Sequence, residues 1–373
     1  MEDIDLTQLT YLKLLLSIDG IGPVKVISLL NRFSNLEEIF STKKQFLIQA
    51  EGINNTLAER IIASLKSYDS TREKLEKELN ALEKISAKLI CFWDKSYPEL
   101  LKKIYYPPLI LYTLGNFLKT DNFSIAIVGT RLPTNYGHIQ TERFAAELAQ
   151  QNITIVSGLA RGIDSIAHKT SLKKGGRTIA VIGSGLDVIY PAENKKLFYE
   201  IIENGAIISE FELGTKPDAQ NFPRRNRIIS GISLGTLVIE TRENGGAMQT
   251  ASYALDQNRE VFAIPGNIGS HQSEGTNSLI QRSEAKLVKE PKDLLIELGS
   301  KLRPIMQKEI PKPSIQLTLF EEKIFQVLSN DPKHIDDIAI HANSTVADCL
   351  VHLLSLEFKG AVRQLPGKMF CTI

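Results

Sequence analysis

The chain is poor in cysteine, the residue that could staple it covalently or build a thiolate metal site. Its 373 residues include three cysteines, Cys91, Cys349 and Cys371, far apart and without a CxxC pair. That spacing argues against a disulfide framework or a zinc site and fits a reducing compartment. Long apolar runs are also missing, and none approaches the ~20 residues needed to span a bilayer. The first residues, "MEDIDLTQLT", are acidic and polar, unlike a secretory signal. A soluble, cytoplasmic protein without membrane contact is expected. Neither sign of charge dominates: 44 basic side chains face 43 acidic ones, for a net charge of +1. Any anion site must therefore come from local arrangement. Nucleotide fingerprints are absent too. There is no GxxxxGK[ST], "VGTRLPTNYG" lacks the GxGxxG spacing, and "VIGSGLD" has a GxG without the third glycine. These absences speak against nucleotide hydrolases and nicotinamide enzymes. No nucleophile–base–acid constellation is evident, so no catalytic residue, cofactor or metal is expected.

What is present suggests two or three domains. Residues 1–68 read as all-helical, with the turns Gly20-Ile21-Gly22-Pro23 and "AEGINN" each preceding a helix. Short helices joined by such turns resemble SAM/helix-hairpin-helix modules. Their backbone amides can hold DNA phosphates, or the module can simply pack. Residues 69–88, "DSTREKLEKELNALEKISAK", read as an exposed linking helix.

Within residues 89–300 the pattern changes to alternating strands and helices. "SIAIVG", "ITIVSG", "TIAVIGSG", "AIISE", "LGTLVIE" and "EVFAIPG" are near-continuous apolar strands separated by amphipathic segments. That pattern points to an α/β fold: an extended Rossmann-like, mostly parallel sheet covered on both faces. Residues 301–314 read as a proline- and lysine-rich linker. Residues 315–373 give three helices and a terminal hairpin, the order of a winged helix. The third helix has few basic residues, only Lys359 near its end, which favours docking to protein over duplex binding.

In open parallel sheets, ligands bind beyond the carboxyl ends of the strands. Four strands here finish in small or basic residues: Gly129-Thr130-Arg131, Gly158-Leu159-Ala160-Arg161, Ser184-Gly185-Leu186-Asp187, and Thr241-Arg242 before Gly245-Gly246. Glycines there let backbone amides approach an anion, and helix N-termini add their dipoles. "QNFPRRNRIISGIS" places Arg224, Arg225 and Arg227 at a helix start, where the dipole disfavours cations. A bound phosphate would make Arg224 and Arg227 tolerable there, with Phe222 stacking on a base for ~1–3 kcal/mol. Equally open is an arginine network paired with carboxylates such as Glu210, Glu212 and Glu240. Asp164 and His168, four apart in "GIDSIAHKT", could meet as an acid–base pair. A structural role is favoured, the aspartate capping or pairing locally and orienting the histidine.

The runs "AIVGTR", "VSGLARGIDSIAH", "GGRTIAVIGSGLDVIYPAEN", "GAIISE", "FPRRNRIISGIS", "VFAIPG" and "GTNSLI" together resemble the DprA/Smf family of bacterial DNA-processing proteins. The resemblance covers about 90–290 closely, and the helical front and winged-helix tail suit the family's architecture. It implies a non-enzymatic binder of single-stranded DNA that shields incoming strands and helps load the RecA recombinase in natural transformation. It also implies a homodimer through the Rossmann-like domain, near "PGNIGSHQSEGTNSLIQ". Family DNA contacts carry over to Arg131, Arg177, Phe222, Arg224 and Arg227. With the strand-end residues Arg161, Gly129, Gly158 and Gly185 they form the expected DNA-binding set. Three positions depart from the family pattern: Gly245 stands for a serine, Asn258 for a glycine and Glu284 for a glycine. Asn258 can still adopt a left-handed turn.

Two other functions remain in view. One is a phosphoribohydrolase of the lysine-decarboxylase-like type, but "NGGAMQTASYAL" has no acid three after Thr250 for general acid–base work. The other is a structural adaptor whose partners bind the DNA.

Overall fold

The computed structural model describes residues 5–302, 317–329, 331–359 and 361–372. The linker expected over 301–314 lies, after its first two residues, outside them. Two compact units divide near residue 307.

The first unit opens with helices α1 (Leu6–Leu16), α2 (Pro23–Leu30), α3 (Leu36–Ser41), α4 (Lys44–Leu47), α5 (Asn55–Ser64) and α6 (Tyr68–Lys84). The glycine turns take left-handed backbone at Gly20 and Gly52, where a side chain would strain. Their polar groups are used internally. Lys25 donates to the Gly20 carbonyl at 2.6 Å, Ser28 to Glu51 O at 3.0 Å, and Arg60 to Asp19 O at 3.0 Å. Helix α6 is exposed along most of its charged surface, but one stripe of it is packed. Leu75 and Leu82, seven apart, are buried in the same core as α1 and the first strands. Their spacing marks one apolar stripe on an otherwise charged helix.

A nine-stranded sheet follows: β1 (Lys88–Cys91), β2 (Ile110–Gly115), β3 (Ser124–Val128), β4 (Thr154–Ser157), β5 (Thr178–Val181), β6 (Gly205–Ser209), β7 (Gly235–Val238), β8 (Glu260–Ala263) and β9 (Lys286–Leu287). The spatial order is β1-β2-β6-β5-β4-β3-β7-β8-β9. Strands β3 to β9 pair in parallel, while β1 and β2 add an antiparallel edge. The helices between them are α7 (Asn135–Gln150), α8 (Ile163–Lys173), α9 (Lys195–Asn204), α10 (Asn221–Gly231), α11 (Gly246–Asp256) and α12 (Glu274–Gln281), with α13 (Pro291–Glu297) and α14 (Gly299–Leu302) after the last strand.

Strand alternation divides this core into two layers. Ile125 and Ile127 pack with Phe144, Leu148 and Ile163 of α7 and α8. Ala126 and Val128 pack with Ile228, Ile229 and Ala251 of α10 and α11. Burial on both faces explains why the strands carry no polar alternation. Asn258 takes the left-handed conformation at the α11–β8 turn, as its side chain permits.

The second unit has α15 (Leu319–Val327), β10 (Lys333–His334), α16 (Ile335–Ala342), α17 (Val346–Phe358), β11 (Val362–Leu365) and β12 (Met369–Thr372), a winged-helix arrangement. Glu321 ties α15 to α17, accepting from Lys359 Nζ at 2.7 Å and Ser355 Oγ at 2.6 Å. Apolar side chains are exposed along α17, at Leu350, Val351, Leu354 and Phe358.

Candidate nucleic-acid interface

Chain order fixes where a ligand can sit. From β3 the chain winds outward through β4 to β6, then returns to β3's other side and winds on through β7 to β9. The turns leaving β3 and β7 therefore diverge and open a crevice at the switch point. That crevice is a cleft of about 1330 Å³, with Gly129, Arg131, Phe222, Arg225, Arg242 and Gly246 among its walls. A side slot of about 240 Å³ continues past Arg131 to Gly158, Arg161, Gly183, Tyr190 and Phe222.

The loop bearing Arg131 is clamped from two sides. Thr130 N donates to the Glu240 carbonyl at 2.7 Å, and Ile163 N donates to Thr130 O at 3.2 Å. Gly162, at φ +73°, lets α8 start against that loop, where an added Cβ would lie 2.4 Å from Thr130 O. Arg131 itself is exposed, and its guanidinium lies 5.4 Å from the Phe222 ring centroid. It has no ion pair or side-chain hydrogen bond among the described residues. Tyr190 lies on the slot side of Phe222, ring centroids 5.9 Å apart. A cation over an aromatic face at the mouth of a slot can engage both a phosphate and a planar base.

Below the cleft runs a buried polar layer. Arg225 Nη1 donates to Gly158 O at 2.6 Å and also to Val181 O, tying the ends of β4 and β5. Burial pulls its pKa down to about 10, against the pull of Asp164. Gly158 leaves room for that guanidinium, because a Cβ there would lie 2.0 Å from Arg225 Nη1 and push it off the two carbonyls. Asp164 caps the turn after β4, accepting from Gly158 N at 3.0 Å. Burial raises its pKa, opposed by Arg225. His168 does not meet Asp164; its Nδ1 lies 2.6 Å from Thr178 Oγ1. Burial lowers its pKa to about 3, so it stays neutral and belongs to the packing. Asp164 is the local cap expected of it, but it does not orient the histidine.

The expected site residues thus separate. The cleft and slot gather Gly129, Gly158, Arg131, Arg161 and Phe222. Arg161 is exposed and paired with Glu193 at 2.8 Å. Arg224 and Arg227 lie on the other flank of α10 and line neither cavity. Arg227 is largely buried on Glu210, and Arg224, 64% exposed, approaches Glu210 at 3.5 Å and the Phe211 ring. Of the carboxylates suggested as arginine partners, Glu210 takes that role, Glu212 binds Lys13 instead, and Glu240 bonds Thr134. Arg177 stands at the start of β5, the opposite end of the sheet, and binds Asp121 at 2.6 Å. Gly185 serves loop packing, since a Cβ there would meet Glu212 O at 2.6 Å. Sequence reasoning missed Arg225 as a cleft residue, although i, i+3 spacing from Phe222 puts the two on one helix face.

Residues 88–299 match the family described as DNA recombination-mediator protein A. Residues 12–67 match a SAM-like helix-hairpin-helix tandem, and 309–368 the DprA winged helix domain. The chain is 33% identical to Protein Smf of Synechocystis over 95% of its length and 96% of that protein's. It is 41% identical to DNA processing protein DprA of Bacillus subtilis, over 60% of this chain and 76% of the relative. This chain belongs to the DprA/Smf family.

Solved structures agree with that DprA/Smf assignment. The Streptococcus pneumoniae DNA processing protein A superposes with a TM-score of 0.65 at 33% identity, covering 79% of this chain and 98% of that one. The Helicobacter pylori protein, described for its single-stranded DNA binding mode, gives 0.52 at 31% identity over 58% of this chain and 96% of that one. Within the DprA/Smf run "FPRRNR", only Phe222, Pro223, Arg225 and Asn226 line the cleft. No helix among the described residues is long and apolar enough to cross a membrane.

Proposed function

We propose that this chain binds single-stranded DNA in the switch-point cleft and acts as a recombination mediator rather than an enzyme. The observation that carries the reading is the free, exposed guanidinium of Arg131 over the ring of Phe222, at the mouth of a slot with room for one base. Arg242, exposed on the facing rim, supplies a second cation for the sugar–phosphate path. The open backbone at Gly245–Gly246, where α11 starts with no side-chain cap, adds donors. Arg161 joins once a phosphate competes with Glu193. Arg177, Arg224 and Arg227 are left out of the contact set because other carboxylates hold them or they stand elsewhere.

The single-stranded DNA bound by the Helicobacter pylori relative and the mediator description of the family support this reading. In the cell the protein would shield incoming strands in the cytoplasm and hand them to the RecA recombinase during transformation. It would work as a homodimer through the later part of the Rossmann-like domain, around residues 265–281. The winged helix, with its apolar α17 face, would dock protein. Domain limits of 1–68, 69–88, 89–300 and 315–373 are proposed, with the first three expressed together because Leu75 and Leu82 of α6 share one core with α1 and the first strands.

The deciding experiment is a fluorescence-anisotropy titration with single- and double-stranded oligonucleotides at two salt concentrations. Tight, salt-dependent binding of the single strand is expected. Equal affinity for duplex, or none for either, refutes the reading. Release of free base from nucleoside monophosphates would instead favour the phosphoribohydrolase alternative.

A further inference from the structure

Glu240 follows β7 by two residues, deep beside the cleft, with 1% of its surface exposed. Buried carboxylates are ordinarily matched by a cation. Glu240 has no ion pair with any described residue. Its carboxylate instead points to the start of α7. Thr134 N donates to Oε2 at 2.9 Å and Thr134 Oγ1 donates to Oε1. Thr134 is the N-cap of α7, accepting in turn from Gly137 N at 3.1 Å. The helix also makes room for it: a Cβ on Gly137 would lie 2.2 Å from Oε2. Bulk, charge and donors all converge on one internal anion.

Helix α7 is the first helix after the central strand. In doubly wound nucleotide-binding folds, the start of that helix receives the phosphate of the ligand. We propose that Glu240 is a specificity-determining residue whose carboxylate stands where that phosphate would sit, so that free nucleotides and inorganic phosphate are refused at the first turn. The cleft is thereby left to a ligand gripped from its rim, by Arg131 and the α11 start. The same carboxylate explains why the turn after β3 dispenses with GxGxxG: there is no incoming pyrophosphate for close-approach glycines to accommodate.

The test is chemical rescue with inorganic phosphate as the probe, on the full chain, and it does not depend on what the cleft binds. Glu240→Ala and Glu240→Ser empty the position while Thr134 and Gly137 remain. Both variants and the unaltered protein are melted in phosphate and in chloride at equal ionic strength. Phosphate stabilises folded chains in general by exclusion from their surface, so the expected result is a rise in the Tm of each variant over chloride that exceeds the rise of the unaltered protein by at least about 2 °C. Glu240→Gln, which fills the space without charge, should show no rescue beyond that general rise. Folding of a variant in phosphate but not in chloride supports the proposal equally. Variants that melt identically in both salts, that fail to fold in either, or that respond no more than the unaltered protein, overturn it. A merely structural strut would lower Tm without any preference for phosphate beyond that of the unaltered protein.

Discussion

Arg131→Ala separates the cleft from every other cationic feature of the chain. The side chain is exposed and holds no carboxylate, so its removal orphans nothing, and folding stability should change by no more than about 0.5 kcal/mol. On the DNA side it removes one charge-assisted contact, worth ~1.5–3 kcal/mol, or roughly a 10- to 150-fold loss of affinity for single-stranded DNA. Each neutralised phosphate contributes about 0.7 to the slope of log affinity against log salt for single strands. The variant's slope should therefore be shallower by about that amount, and its defect should shrink about 2.5-fold between 50 and 200 mM salt. Arg131→Lys keeps the charge but loses the planar group over Phe222. It should restore the slope while recovering only part of the affinity.

The assay is fluorescence anisotropy with a labelled oligonucleotide across a salt series. Arg177→Ala is the control. It removes a guanidinium bound to Asp121 at the far end of the sheet, so it should destabilise by ~3–5 kcal/mol without altering the affinity of the folded protein. If Arg131→Ala binds like the unaltered protein with an unchanged slope, or Arg177→Ala is the weaker binder, the strand does not run through the switch-point cleft.

Gly158→Ala should cost roughly 2–4 kcal/mol in denaturant unfolding, because the new Cβ displaces the Arg225 guanidinium from the two strand-end carbonyls; a cost below about 1 kcal/mol would contradict the clamp. Arg227→Ala should destabilise by ~3–5 kcal/mol by stranding buried Glu210, whereas exposed Arg224→Ala should stay within about 1 kcal/mol; equal effects would contradict the placement of α10. His168 is neutral in the fold with a pKa of about 3, below its unfolded value. Between those values the unfolded chain binds the extra proton, so stability contributed near pH 7 is lost as pH falls. Relative to His168→Gln, the unaltered protein should lose ~2 kcal/mol more between pH 7 and pH 5, and identical pH profiles would refute the assignment.

The sheet was legible because burial on both faces leaves strands with no polar alternation, and glycine- and arginine-bearing turns punctuate their ends. The antiparallel edge was harder to read: β1 and β2 lie among prolines and gain their register from partners far along the chain, such as Tyr112 opposite Ser209. The arginine run shows more sharply where reading by composition fails. At 100° per residue, Arg224 and Arg227 share one face, and Phe222 with Arg225 another. Grouping Phe222 with Arg224 and Arg227 treated proximity in sequence as proximity in space, and the helix forbids it. Which face meets the cleft was not available from spacing, since Glu210 and Gly158 decide it from separate strand ends. The dipole objection to cations at a helix start is then met without any ligand for two of the three. Arg227 is neutralised by a buried carboxylate. Arg225 is solvated by carbonyls that the parallel ladder leaves free where β4 and β5 end. A phosphate is left to the cleft-rim arginines that no acceptor among the described residues claims, Arg131 on the turn after β3 and Arg242 on the turn after β7.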